Sequence, residues 1–182
     1  MNTLLITGVT GFLGGAVLEN ILNQKNGVNL LLLVRADNGE AALARVKDNL
    51  RKFNIAEETL ATLSPRHILL GDLANPEGFL ADPRLDGVTH VLNCAAVASF
   101  GNNPLIWKVN VEGTLRFAQR MAEVSGLQRF LHVGTAMSCS PEPDSLVAES
   151  AEFRERAEHL VEYTHSKSTI ERLMQQECPT SR

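Results

Sequence analysis

The chain has 182 residues, 44% of them hydrophobic and 21% charged, and carries a net charge of −4. That length holds one domain with a substantial core and is short for two of ordinary size. The acidic balance, with no cluster of Lys and Arg along the chain, argues against a nucleic-acid surface.

Residues 3–7 are apolar and strand-like, and the run Gly8-Val9-Thr10-Gly11-Phe12-Leu13-Gly14 leads from them into a helical pattern over residues 12–24. A strand, a tight turn and a helix N-terminus in that order form a pyrophosphate site. Gly8 suits the turn, Gly11 the approach of backbone to phosphate, and Gly14 the packing of helix on strand. Gly8, Thr10, Gly11, Phe12, Leu13 and Gly14 are therefore candidate cofactor contacts. Their spacing is G-x-x-G-x-x-G, whereas the usual dinucleotide fingerprint is G-x-G-x-x-G.

A second apolar run, 29–34, is followed by Arg35. A dinucleotide fold normally offers an acid to the adenosine ribose about 20 residues past the glycines. A guanidinium in that place grips a 2′-phosphate through paired charge-assisted hydrogen bonds, so NADP(H) is expected over NAD(H). Arg45 and Lys47, in the helix expected over 40–53, are weaker candidates for the same phosphate. A third run, 67–70, precedes Gly71-Asp72-Leu73, where Asp72 and the Leu73 N–H fit an adenine-reading pair and Asp72 fits a turn cap equally well. A fourth, 88–93, opens onto Asn93-Cys94-Ala95-Ala96-Val97. Small residues at Ala95, Ala96 and Val97 let the backbone lie against a cofactor, and core packing explains them as well.

A long helix is expected over 104–125, with Trp107 and Phe117 as packing residues and Asn110 as a polar interruption of its apolar stripe. Asn110 suits a backbone bulge or a water behind Lys167. Gly27 and Gly126 stand where C-cap glycines are expected. The fifth strand, 130–133, contains His132, read as a packed or hydrogen-bonded histidine rather than a base. Thr135 lies just beyond it, and Ser138 is the second choice for the same role. A long irregular connection over 140–150 then leads to a helix over 157–176. Buried strands alternating with helices predict an α/β, Rossmann-like, doubly wound parallel sheet of three layers with strand order 3-2-1-4-5.

Tyr163, the only tyrosine, stands four residues before Lys167 on that last helix, so the two share a face. A phenol with an ordinary pKa of about 10 is a poor acid at neutral pH, but an adjacent ammonium stabilises the phenolate. Thr135 would hydrogen-bond a substrate carbonyl, Tyr163 would protonate it and a nicotinamide would deliver hydride. Cys94, Cys139 and Cys178 are odd in number and widely spaced, which fits free thiols in a reducing compartment and no metal site. With no leader pattern and no apolar run long enough to cross a bilayer, a cytoplasmic protein is expected.

With these residues assembled, the chain resembles the extended short-chain dehydrogenase/reductase superfamily. The marks are TGVTGFLG at 7–14, GDL at 71–73, NCAAV at 93–97, NVEGT at 110–114, VGTAMS at 133–138 and YTHSK at 163–167, in the family's order. It looks most like the thioester-reductase and fatty acyl-CoA reductase branch, with male-sterility-type NAD(P)-binding domains, on LVRA at 33–36 and VASFGNNPL at 97–105. That resemblance implies NADPH-dependent reduction of an acyl thioester, bound to CoA or a carrier protein, with Thr135, Tyr163 and Lys167 in the roles above and Lys167 also holding the nicotinamide ribose. Two departures stand out: Gly134 replaces the usual Ser, and the chain stops at Arg182, before the family's sixth strand and substrate region. One NADP(H)-binding domain over 1–182 is expected, with an exposed fifth strand inviting a homodimer. The alternatives are a nucleotide-sugar epimerase or dehydratase, disfavoured by Arg35, and a non-enzymatic NADP(H)-binding module.

Overall fold

A computed structural model describes residues 2–24, 27–139, 144, 146–149 and 159–178. Five parallel strands form the sheet: β1 (Thr3–Thr7), β2 (Asn29–Val34), β3 (Ile68–Leu70), β4 (His90–Asn93) and β5 (Arg129–His132), in the spatial order β3-β2-β1-β4-β5. The expected order 3-2-1-4-5 is the observed one. Leu5 of β1 aligns with Leu31 of β2 on one side and with Val91 of β4 on the other, and Val91 aligns with Phe130 of β5.

Side chains alternate across the sheet, so each apolar run feeds two cores. Leu5, Leu31, Leu33, Leu69 and Val91 join one cluster, and Ile6, Leu32, Val34 and Ile68 join the other. The second cluster is covered by α1 (Phe12–Gln24) and α2 (Gly39–Arg51) through Leu18, Val46 and Leu50. Asn38 caps α2, its side chain accepting from the Ala41 N–H. Two short helices, α3 (Glu57–Leu60) and α4 (Glu77–Leu80), flank β3.

The first cluster is covered by one continuous helical stretch: α5 (Leu105–Trp107), a π-helical segment (Lys108–Gly113) and α6 (Thr114–Ala122), which contribute Val109, Phe117 and Met121. The single helix expected over 104–125 is thus interrupted by a wide turn and ends earlier. Its cap residue Glu123 is right-handed helical, and Gly126 lacks the left-handed backbone expected of a cap glycine, whereas Gly27 has φ +65°. Helix α7 (Glu162–Glu177) packs on α5, the π segment, α6 and the turn Ala136–Cys139. Of the start expected at 157, positions 157 and 158 lie outside the described residues; among the described ones the helix begins at Glu162, after the extended Val161 with φ −141°. Of the connection expected at 140–150, positions 140–143, 145 and 150 lie outside the described residues. Among the described residues no helix is long and apolar enough to cross a membrane.

Candidate active site

The chain turns sharply where β1 meets α1. Gly8 has φ +73°, and a Cβ there would sit 2.8 Å from the Ala95 backbone nitrogen, so only glycine allows this turn to touch the segment leaving β4. A Cβ on Gly14 would collide with the Gly8 carbonyl, which sets how closely α1 lies on the turn. The Gly11 N–H donates to the Gly8 oxygen (2.9 Å), and the buried Asn49 of α2 donates to both the Val9 and Gly11 carbonyls (3.0 Å each). The turn is therefore held rigid from three sides. The first N–H groups of α1 have no partner inside the helix and lie at its positive end.

This turn forms one wall of a cleft of about 330 Å³ at the C-terminal ends of the strands. Of the residues expected at a cofactor, Gly8, Thr10, Gly11, Arg35, Asp72, Leu73, Ala95, Ala96 and Val97 line it. Arg45 also lines the cleft and donates to the Arg35 carbonyl. The exposed Arg35 guanidinium lies 3.7 Å from Asp72 Oδ2, while Asp72 Oδ1 accepts from the Ala74 N–H (2.9 Å). Asp72 is accordingly a turn cap with one oxygen left facing Arg35. The side chains of Phe12 and Leu13 do not line the cleft; Phe12 is 82% exposed and leans on Phe53. Gly14 likewise lies outside the lining.

Asn110 lies in the π segment, one shell behind the lining. Its Oδ1 accepts from the Val97 N–H (2.7 Å), and its Nδ2 donates to the Val97 carbonyl (3.1 Å) and to Ser166 Oγ (3.0 Å). One side chain thus ties the cleft wall to α7. The wide helical turn puts it there, with Thr114 Oγ1 closing onto the Val109 carbonyl five residues back (2.8 Å).

Beyond the cleft, the end of β5 faces α7. Lys167 is 3% exposed, and its Nζ donates to the Val133 carbonyl and lies 3.2 Å from His132 Nε2. Burial lowers the Lys167 pKa, against the opposing charges of Glu171 and Cys94. Burial, with Lys167 beside it, pushes the His132 pKa down to about 3, which keeps the imidazole neutral. Thr135 Oγ1 accepts weakly from the Met137 N–H (3.3 Å), and Ser138 donates its hydroxyl to the Thr135 carbonyl (2.9 Å), so Ser138 is a turn hydroxyl. Tyr163 is half-buried, edge-on to Phe100 at 5.9 Å, and among the described residues its hydroxyl has no hydrogen-bond partner. Thr135, Tyr163 and Lys167 thus belong to facing elements, yet no hydrogen bond joins them directly among the described residues.

At Gly134 a Cβ would collide with Glu171 Oε1, one turn after Lys167 on the same helix face. The glycine is therefore where the Glu171 side chain rests, and Glu171 in turn accepts from the Thr135 backbone N–H. Burial raises the Glu171 pKa against Lys167. Sequence reasoning missed this carboxylate, as it missed Asn49, Thr7 and Asn93. Asn49 left a signal, being the one polar residue among Ala42, Leu43, Val46 and Leu50 on the buried face of α2.

The male sterility protein family of NAD-binding domains matches residues 6–181. A probable fatty acyl-CoA reductase of Arabidopsis thaliana is 31% identical over 158 residues, covering 78% of this chain and 32% of that protein. The terminal R domain of the myxalamid PKS-NRPS biosynthetic pathway superposes with a TM-score of 0.81 at 22% identity, covering 97% of this chain and 45% of that one. The reductase domain of a nonribosomal peptide synthetase from Mycobacterium tuberculosis gives 0.75 at 28% identity, covering 98% and 44%. The chain therefore spans about a third of the curated relative and under half of the solved ones. On the match to nearly its whole length, the chain belongs to the male sterility protein family of NAD-binding domains.

Proposed function

We propose that this chain is the NADP(H)-binding, hydride-transfer part of a reductase acting on an acyl thioester. The observation that carries the reading is Lys167: a lysine 3% exposed, at the end of a parallel strand, with Tyr163 one turn before it and Thr135 just beyond the facing strand. Buried lysines are costly, and perturbed cations of this kind concentrate at functional sites.

The cleft suits a dinucleotide: its volume lies in the small-molecule range, and the glycines of the β1–α1 turn present backbone along it. The first N–H groups of α1 would hold the pyrophosphate. Arg35, with Arg45 beside it, would take the 2′-phosphate. Its exposed contact to Asp72 is worth at most about 1 kcal/mol, so a phosphate displaces it readily. Asp72 and Leu73 would face the adenine, and Ala95 to Val97, braced by Asn110, would lie along the rest of the cofactor. When bound, the reduced nicotinamide supplies the hydride. Thr135 would donate a hydrogen bond to the substrate carbonyl oxygen, Tyr163 would give that oxygen a proton, and Lys167 would hold the ribose and stabilise the phenolate left behind. The acyl-thioester class is supported by the fatty acyl-CoA reductase relative.

Titration tests the reading. NADPH should bind at least about tenfold more tightly than NADH, equivalent to ~1.4 kcal/mol, and Arg35→Ala should abolish the difference. Equal affinities in the wild type would remove the 2′-phosphate assignment. NADPH oxidation in the presence of an acyl-CoA falls by about 10²-fold or more in Tyr163→Phe while NADPH affinity is retained.

A further inference from the structure

A chain of hydrogen bonds runs from the cofactor cleft to Lys167. The Ala95 N–H donates to Thr7 Oγ1 (3.0 Å), Thr7 Oγ1 meets Asn93 Oδ1 (2.5 Å), Asn93 Nδ2 meets His132 Nδ1 (3.0 Å), and His132 Nε2 meets Lys167 Nζ (3.2 Å). Thr7 and Asn93 are fully buried, so water does not substitute for a missing partner there. Each link must therefore match a donor to an acceptor.

A neutral imidazole has one N–H. With the Asn93 amide nitrogen facing it, His132 Nδ1 accepts, and Nε2–H donates to Lys167, which must then be an uncharged amine with a free lone pair. An ammonium has three donors and no acceptor. Beside a charged Lys167, Nε2 must accept and Nδ1 must carry the hydrogen, which requires the Asn93 amide to turn its oxygen toward His132 and its NH₂ toward Thr7. Both arrangements satisfy every contact between Asn93 and Lys167, and the second takes from the Thr7 hydroxyl its Asn93 acceptor, a cost that favours the uncharged lysine.

We propose that Asn93 and His132, anchored on Thr7, form a reversible hydrogen-bond relay whose direction follows the charge on Lys167, with His132 the positioning residue that reverses it by changing tautomer. The relay moves no net proton. It gives the lysine a donor when neutral and an acceptor when charged, so that both states are accommodated in a site that admits little water. The groups facing Lys167 are His132 and the Val133 carbonyl from β5, Cys94 from the end of β4 and Glu171 from α7 itself. His132 remains neutral throughout because burial holds it far below the ordinary histidine range. For catalysis the relay rests on the role of Lys167 proposed above; its existence does not.

The test is nitrogen-15 NMR of the histidines together with carbon-13 NMR of the lysine ε-carbons across a pH titration of the whole chain, without turnover. His132→Gln and Lys167→Met identify the signals. His132 should change from the Nδ1–H to the Nε2–H tautomer as pH rises, with the same midpoint as Lys167 and below the ordinary lysine value of about 10.4. In His132→Phe the ammonium loses a charge-assisted acceptor and the amine only a weaker neutral donor, so that midpoint should fall, by up to about one pH unit. A His132 that keeps one tautomer through the Lys167 titration, or that becomes imidazolium near neutral pH, overturns the relay, as does an unchanged midpoint in His132→Phe. NADPH oxidation failing with all acyl thioesters would count against the reductase reading and leave this result standing.

Discussion

His132 shows how one residue's surroundings set a pH dependence for the whole protein. Its folded pKa, about 3, lies below the unfolded value of about 6.5, so above pH 6.5 both states hold the ring neutral. As pH falls below that, the unfolded chain gains a proton that the folded one refuses, and stability drops by up to about 1.4 kcal/mol per pH unit from this group. His132→Gln keeps a donor and an acceptor but cannot titrate. The stability gap between wild type and variant, measured by urea denaturation, should therefore narrow by about 1.6 kcal/mol between pH 6.5 and pH 5. A gap that stays constant over that interval would remove the depressed histidine. The sequence marked His132 as packed or hydrogen-bonded because it alternates with core residues of a strand. It gave no means of knowing that Asn93 and Lys167, 39 and 35 residues away in the chain, would be the partners.

The helical stretch from Leu105 to Ala122 shows the limit of periodicity at the level of an element. Its apolar spacing was legible, and Asn110 was recognised as the polar interruption that suits a bulge. The π segment is the result, because Asn110 must reach Val97 and Ser166 at once. Asn110→Ala leaves the Val97 N–H and carbonyl without their partner and should cost about 2–3 kcal/mol in denaturant unfolding. Ser166→Ala keeps both Val97 bonds and should cost about 1 kcal/mol. Equal losses in the two variants would mean that the link to α7, and not the brace on the cleft wall, holds the segment. The extended Val161 fixes where α7 begins among the described residues, a backbone state that periodicity does not report.

Across the whole molecule the two cores are unequal in reach. Over β5 the face carrying Phe130 packs against Phe117 at 5.4 Å, while Leu131 on the other face is 55% exposed. Phe117 also meets Phe79 edge-on at 5.7 Å, so a single buried ring joins β5, α4 and α6. Phe117→Ala should cost about 3–5 kcal/mol, a large share of a domain's net stability, with the dependence on urea concentration unchanged. A loss below about 1 kcal/mol would show that this face repacks around the cavity.

The sequence by itself determined the alternation of strands and helices, the strand order, the glycine turn and the residue types at the candidate catalytic positions. These depend on spacing along the chain, on the backbone demands of Gly8 and on rules of connection that hold for any α/β sheet. Only the tertiary structure decided which distant groups complete the site: Asn49 clamping the turn, Asp72 facing Arg35, Glu171 resting on Gly134, and the path from Thr7 to Lys167. Each of these pairs residues far apart in sequence. Their chemistry follows from donor, acceptor and burial relations that exist only once β1, β4, β5 and α7 are side by side.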